Sequence, residues 1–244
     1  MKLLILGATS AIAQETLKPF AKEGAEFFLV ARDKTKLAAV ANDLRTRGAA
    51  RVEEYPLDLN EIAAHQTLVD TAYVNLNGID IILIAYGTLG NQKACQSSVD
   101  ETLKELNTNC LSIISLLTIL ANYCEKQQQG CLAVISSVAG DRGRKSNYVY
   151  GTAKGALNIF LQGLRNRLMK ANVQVITVKP GFVNTPMTKD IQKNFLFAEP
   201  KYVGRKIYRG IKERKEILYV PGFWRLIIFA IRCIPERIFK SLSL

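Results

Sequence analysis

The chain has 244 residues, 48% of them hydrophobic, and a formal net charge of +12. That length suits one large domain, and no internal repeat, low-complexity tract or linker marks a second. One histidine, His65, in a helix pattern far from the segments singled out below, and five cysteines without C-x-x-C spacing argue against a metal centre, a Ser-His mechanism and a disulfide framework; they fit reduced, packed thiols in a cytoplasmic protein.

Residues 2–6 read as a short buried strand, so no N-terminal signal is expected. The strand runs into Gly7-Ala-Thr-Ser-Ala-Ile-Ala13, a tight turn of small residues opening a helix pattern over 11–23. Strand, small-residue turn and helix form the first half of a dinucleotide-binding unit; backbone amides around Gly7, Thr9, Ser10, Ala11 and Ile12 can face a pyrophosphate. Strand and helix patterns then alternate. Strands are predicted at 26–31 and 51–56, an apolar run at 79–84, and further strands at 131–136, 174–178 and 217–220. Helices are predicted at 33–47, 61–76, 98–126, 149–169 and within 201–215. Continuous apolar runs suit strands buried on both faces of a parallel sheet. The expected fold is α/β, a single Rossmann-type doubly wound parallel sheet over residues 1–220 with helices on both faces.

Tyr150 and Lys154 are the most informative pair. Four apart on a helix, a phenol and an ammonium share one face, and a cation beside a phenol favours phenolate. Tyr202/Lys206 and Tyr208/Lys212 have the same spacing but stand in a basic stretch with no nucleotide-binding apparatus around them in sequence. Tyr148 has Thr152 four residues on rather than lysine and is read as a pocket wall. At the end of the second strand, Arg32 can fork onto the 2′-phosphate of NADP, with Ser10 adding a hydrogen bond; NADP(H) is favoured, and Asp33 leaves NAD(H) open.

Residues 1–150 carry 15 Lys/Arg against 16 Asp/Glu, whereas residues 151–244 carry 18 against 5, so all the positive excess is C-terminal. A basic segment at 186–215 suits an anionic substrate or surface. No interleaved base-stacking aromatics or nucleic-acid motif appears, so nucleic acid is not expected as a partner. The final segment, 221–244, combines a narrow polar stripe of Arg225, Arg232, Glu236 and Lys240 with mostly apolar residues elsewhere, provided the helix continues through or resumes after Pro235. Its arginines and Pro235 interrupt it, so it is too short and too charged to span a bilayer. It is expected to lie in a membrane interface over 223–240, with Phe223 and Trp224 as anchors, or to be buried between copies of a homo-oligomer.

Taken together, residues 1 to about 220 resemble the short-chain dehydrogenase/reductase family. Ser137 lies thirteen positions before Tyr150 at a strand end, Asn109 sits on the long middle helix, Asp58 and Leu59 follow strand three, and Pro180-Gly-Phe-Val-Asn-Thr185 matches the segment after strand six. The resemblance implies an NAD(P)-dependent oxidoreductase acting on a carbonyl or secondary alcohol, with Tyr150 as acid/base and Ser137 holding the reacting oxygen. Lys154 would bind the nicotinamide ribose, and Asn109 a water linking Lys154 to solvent. Gly7, Thr9, Ser10, Ala11, Ile12, Arg32, Asp58, Leu59, Tyr86, Gly87, Tyr150, Lys154, Pro180, Gly181, Val183 and Thr185 would line the cofactor. Two departures stand out: Ala11 and Ala13 replace two of the usual three glycines, and Ile84-Ala-Tyr-Gly87 replaces Asn-Asn-Ala-Gly, so other groups must satisfy the backbone those asparagines usually brace. The Tyr150 segment and the tail from Arg225 to Lys240 are similar to the decaprenylphosphoryl-2-ketoribose reductase subgroup. That likeness implies a lipid-linked keto-sugar substrate, a flavin oxidase partner and a peripheral position on the inner face of the cytoplasmic membrane. The alternatives are a soluble general carbonyl or 3-oxoacyl reductase and, less favoured, a noncatalytic nucleotide-sensing membrane protein.

Overall fold

The computed structural model describes residues 1–242; Ser243 and Leu244, the end of the segment expected at 221–244, lie outside the described residues. Seven parallel strands, β1 (Lys2–Leu6), β2 (Glu26–Ala31), β3 (Arg51–Pro56), β4 (Ile81–Ile84), β5 (Gly130–Ile135), β6 (Val173–Pro180) and β7 (Ile217–Val220), form one sheet in the order β3-β2-β1-β4-β5-β6-β7. The register pairs Leu3 with Phe27 on one side and Ile81 on the other, and Ile135 with Val178 further along. The chain reverses direction across the sheet between β1 and β4, and a doubly wound sheet opens a crevice there at the strands' carboxyl ends.

Strands β1, β4 and β6 are almost wholly buried because both faces are covered. On one face lie α1 (Ala11–Lys22), α2 (Lys34–Thr46) and, later in the chain, α8 (Pro200–Lys212), packed over Leu17, Phe20, Phe27 and Ile207. On the other lie α3 (His65–Leu76), α6 (Ser112–Gln127) and α7 (Tyr148–Leu168), over Leu68, Leu116, Leu132 and Leu161. Among the described residues, 99–127 is the one helical stretch long and apolar enough to cross a membrane, but within it Leu116, Leu117 and Leu120 are buried on the sheet.

The helix predicted at 98–126 is three pieces: α5 (Val99–Leu106), one π-helical turn at Asn107–Leu111, and α6; a short α4 (Gln92–Ser97) precedes them. The π turn carries Asn109, and such a bulge re-aims a side chain that a regular helix would not present. The C-terminal helix also breaks. α9 (Trp224–Cys233) ends at Ile234, whose extended backbone (ψ 122°) is what a following proline imposes, and α10 (Glu236–Phe239) resumes after it. Helix thus resumes after Pro235, as the stripe from Arg225 to Lys240 required, and the stripe's four residues are exposed across two helices rather than one.

Candidate active site

At the carboxyl ends of the strands lies a cavity of about 530 Å³. Every residue assigned above to cofactor or catalysis lines it, from Gly7, Thr9, Ser10, Ala11 and Ile12 through Arg32, Asp58, Leu59, Tyr86, Gly87 and Asn109 to Ser137, Tyr150, Lys154, Pro180, Gly181, Val183 and Thr185. Tyr148 does not; it is 43% exposed outside the cavity, which corrects its reading as a pocket wall. The rival pairs also lie elsewhere: Tyr208 and Lys212 both engage Glu23 at the surface, and Tyr202 is exposed with Lys206 over its ring.

Gly7 opens the site because no other residue fits. Its φ is +90°, and a Cβ there would stand 2.7 Å from the Tyr86 backbone nitrogen. Its amide and that of Ala8 bond to Val30 O (2.9 and 3.0 Å), tying the turn to β2. Ser10 precedes α1 without a side-chain cap, so the helix's first amides have no side-chain acceptor where they border the cavity. Buried Ala13 is packed fully, which is what the missing glycine must permit.

His65 is fully buried. Its Nε2–H donates to Leu59 O (3.0 Å) and its Nδ1 is hydrogen-bonded to the Ser115 hydroxyl (2.9 Å); burial pushes its pKa down, and the ring braces the cavity segment at Asp58 and Leu59.

The tasks of the missing asparagines fall to others. Tyr86 is hydrogen-bonded to Ser112 (2.6 Å), and Asn109 Oδ1 accepts from Thr88 N (3.0 Å). Asn109 Nδ2 donates to Glu105 Oε2 (3.0 Å), whose carboxylate also accepts from the Thr88 hydroxyl (2.9 Å). The Asn109 amide is thus committed to protein atoms, and no hydrogen-bond position seen here assigns it to a relay water. Sequence reading missed Glu105, because an acid on an exposed-looking amphipathic helix gives no sign that a π turn folds it inward.

Tyr150 and Lys154 come together on α7, with Nζ 5.8 Å from the phenol ring centroid. The expectation that Lys154 lowers the phenol's pKa is corrected. Burial pushes Tyr150 up to about 12 against the opposing Ser137 hydrogen bond, with Glu105 adding to the rise. Burial likewise brings Lys154 down to about 8. Desolvation outweighs the favourable contacts of each, with Lys154 buried and Tyr150 half-buried. Lys154 is 3% exposed, and its ammonium has one hydrogen-bond acceptor, Ile135 O at 3.3 Å. Among the described residues no carboxylate pairs with it. An uncapped helix start at one end and an under-used buried lysine at the other fit a dinucleotide, whose pyrophosphate needs the amides and whose ribose hydroxyls need the donor.

The C-terminal expectations need the largest revision. Trp224, expected to anchor in lipid, is 3% exposed and lines the cavity, packed with Val138 and Ile228 and edge-on to Phe182 (5.7 Å). It lies so close to Gly181 that a Cβ there would overlap the indole. Arg142 holds α9 in place: Nη1 donates to Ile231 O (2.7 Å) and Ile234 O (2.6 Å), Nη2 to Glu236 (3.0 Å), and the guanidinium stacks 3.8 Å over Phe239. A cation on the last carbonyls of a helix is also favoured by the helix dipole. Of the basic segment 186–215, Pro186, Met187, Thr188 and Ile191 reach the cavity, whereas α8 packs against α1 and contributes nothing to the lining. The signal available in sequence was the charged loop Asp141-Arg-Gly-Arg144 between two suspected catalytic residues.

The signature of the short chain dehydrogenase family matches residues 2–195. An uncharacterized oxidoreductase of Mycobacterium tuberculosis (strain ATCC 25618 / H37Rv) is 32% identical over 240 residues, covering 98% of this chain and 96% of its own. One from Streptomyces coelicolor is 31% identical over 241 residues, covering 98% and 95%. Among solved structures, a short-chain dehydrogenase from Sphingobium yanoikuyae in complex with NADPH superposes with a TM-score of 0.83 at 22% identity, over 99% of this chain and 96% of the other. Actinorhodin polyketide ketoreductase with NADPH gives 0.81 at 20% identity, over 91% and 96%. The chain belongs to the short-chain dehydrogenase family. It is an NAD(P)-dependent oxidoreductase.

Proposed function

We propose that the protein is an NADP(H)-dependent reductase of a carbonyl on a lipid-linked or amphipathic anionic substrate, such as a polyprenyl-phosphate keto-sugar. The bound nicotinamide would supply the hydride. Tyr150, whose proton is held up to about pH 12, donates to the carbonyl oxygen, and the Ser137 hydroxyl beside it bonds the same oxygen and fixes its position. Lys154 holds the ribose hydroxyls; Asn109 and Glu105 hold the Thr88 loop that walls the site. For the phosphate preference, Arg32 borders the cavity with its side chain 70% exposed and 3.5 Å from Asp58. Asp33, the acid that would serve NAD, instead caps α2 by accepting from Lys36 N (3.0 Å) and is absent from the lining.

The observation that carries the lipid reading is the double role of α9. One arc, Trp224, Ile227, Ile228 and Ile231, walls and supports the cavity. The opposite arc leaves Leu226 (73%) and Phe229 (68%) bare, with Phe223 and Cys233 beside them and Arg225 and Arg232 exposed along one side. Apolar residues flanked by arginines suit an anionic lipid surface, and such a surface would lie directly against the active site. The ketone would then come from oxidation of the corresponding alcohol, for which a flavin oxidase is the fitting partner. Cosedimentation with anionic and zwitterionic vesicles, alongside NADPH oxidation with long- and short-tailed keto-sugar phosphates, tests the reading. Binding to anionic vesicles that Leu226→Glu/Phe229→Glu abolishes, with faster turnover of the long tail, is expected. Protein that stays off the vesicles and is indifferent to tail length would be a soluble carbonyl or 3-oxoacyl reductase.

A further inference from the structure

Four buried side-chain atoms lack any hydrogen-bond partner among the described residues: Gln92 Nε2, Arg144 Nε, Asn147 Oδ1 and Trp224 Nε1. Protein interiors seldom leave such atoms unmet, and a cluster of them calls for a reason. Three of the four, on Arg144, Asn147 and Trp224, line the cavity that holds Tyr150. Gln92 stands just behind, its side-chain oxygen accepting from Val149 N (3.1 Å) in the first turn of α7.

These cavity-lining residues come from two parts of the chain. Arg144 and Asn147 come from the loop between Ser137 and Tyr150, and Trp224 from the start of α9. Other polar groups of the cavity are matched within the protein, as in the Thr88, Glu105 and Asn109 set. Among the described residues Arg144 pairs with no carboxylate, and Glu105, the acid closest in role, is engaged by Thr88 and Asn109. Arg142, two residues earlier, is fully used on α9, so the loop spends one arginine on structure and leaves the other open.

We infer that Arg144, Asn147 and Trp224 form the subsite for the substrate's polar head, with Arg144 taking an anionic group, Trp224 Nε1 donating to an oxygen and Asn147 accepting from a hydroxyl. The inference rests on the reductase reading above and deepens it by naming what the substrate must carry. These atoms are already buried and unpaired in the free protein, so a plain hydrocarbon ketone gains nothing from them, whereas a ligand that supplies their partners gains those hydrogen bonds. A phosphate or carboxylate on a hydroxylated head satisfies all three; a guanidinium fork is suited to either anion.

Trp224 is the chain's single tryptophan, so its emission reports occupancy of this subsite directly. NADP+-saturated protein is titrated with farnesyl phosphate, farnesol and dimethylallyl phosphate while Trp224 fluorescence is followed. Farnesyl phosphate should bind at least about tenfold tighter than farnesol, and Arg144→Ala should weaken the phosphate at least about tenfold while leaving the alcohol unchanged. Calorimetric NADP+ affinity checks that each variant is folded. Should Arg144→Ala not fold, Arg144→Lys carries the test, since loss of the planar fork predicts about threefold or greater weakening for the phosphates alone. Equal binding of phosphate and alcohol, or folded Arg144 variants with wild-type phosphate affinity, overturns the inference. The two readings separate cleanly: Arg144-dependent binding that ignores tail length keeps the anion subsite and removes the lipid, whereas tail dependence without Arg144 dependence does the opposite.

Discussion

Two buried lysines, Lys154 on α7 and Lys179 on β6, are treated in opposite ways. Lys179, on β6 and 6% exposed, is ion-paired to Asp141 at 2.5 Å; the other Asp141 oxygen accepts from the Tyr219 hydroxyl (3.0 Å) on β7. Lys154, on α7 and 3% exposed, has only a backbone carbonyl among the described residues. The first network joins the catalytic loop to the sheet edge and, through neighbouring Arg142, to α9. The second leaves a charge buried without a counter-ion, which stability alone would not select; a group so placed in a cavity marks the site of the chemistry.

The largest effect expected is catalytic. Tyr150→Phe should lower kcat/KM for ketone reduction by about 10²–10⁴-fold with NADP+ affinity unchanged, and a variant retaining a tenth of the activity would remove the phenol from its role. Next, Lys179→Met strands the Asp141 carboxylate in the interior. Urea unfolding should show a loss of about 3–5 kcal/mol; no change would mean that the pair does not hold the loop.

Lys154→Met should go the other way, abolishing turnover while stabilising the cofactor-free protein by roughly 2–3 kcal/mol at pH 7. The sign follows from a folded-state pKa near 8 against an ordinary 10.5. Below 8 the lysine is charged in both states and the folded state bears the full burial penalty. Between 8 and 10.5 the folded state has released the proton while the unfolded chain keeps it, so wild-type stability rises with pH across that window. Stability curves for wild type and variant that run parallel from pH 7 to 10 would contradict it. Smallest is Gly181→Ala, whose methyl must displace the Trp224 indole. A loss of about 1–3 kcal/mol with red-shifted tryptophan emission is expected; unchanged emission would show that the indole is not held against that turn.

Much of this molecule was legible in its residues. The apolar runs at Lys2–Leu6 and Ile81–Ile84 read as strands because burial on both faces leaves no other pattern, and the cofactor and catalytic positions from Gly7 to Thr185 were named from local motifs and family likeness. Sequence reading failed where one element answers to two surroundings. A helix with apolar residues on two arcs looks the same whether lipid or protein covers them, so Trp224 was assigned to the wrong one. An amphipathic α5 gave no hint that the π turn after it brings Glu105 to Asn109.

The order of strands and helices, the nucleotide-binding turn and the Tyr150–Lys154 pairing were determined by the sequence itself, because each depends on contacts or spacing within a few residues. Tertiary structure alone decided the protonation of that pair, the clamp of Arg142 on α9, and the unmet atoms of Arg144, Asn147 and Trp224. Those depend on how much water is excluded and on which distant groups share the space, and neither quantity is written in local order along the chain.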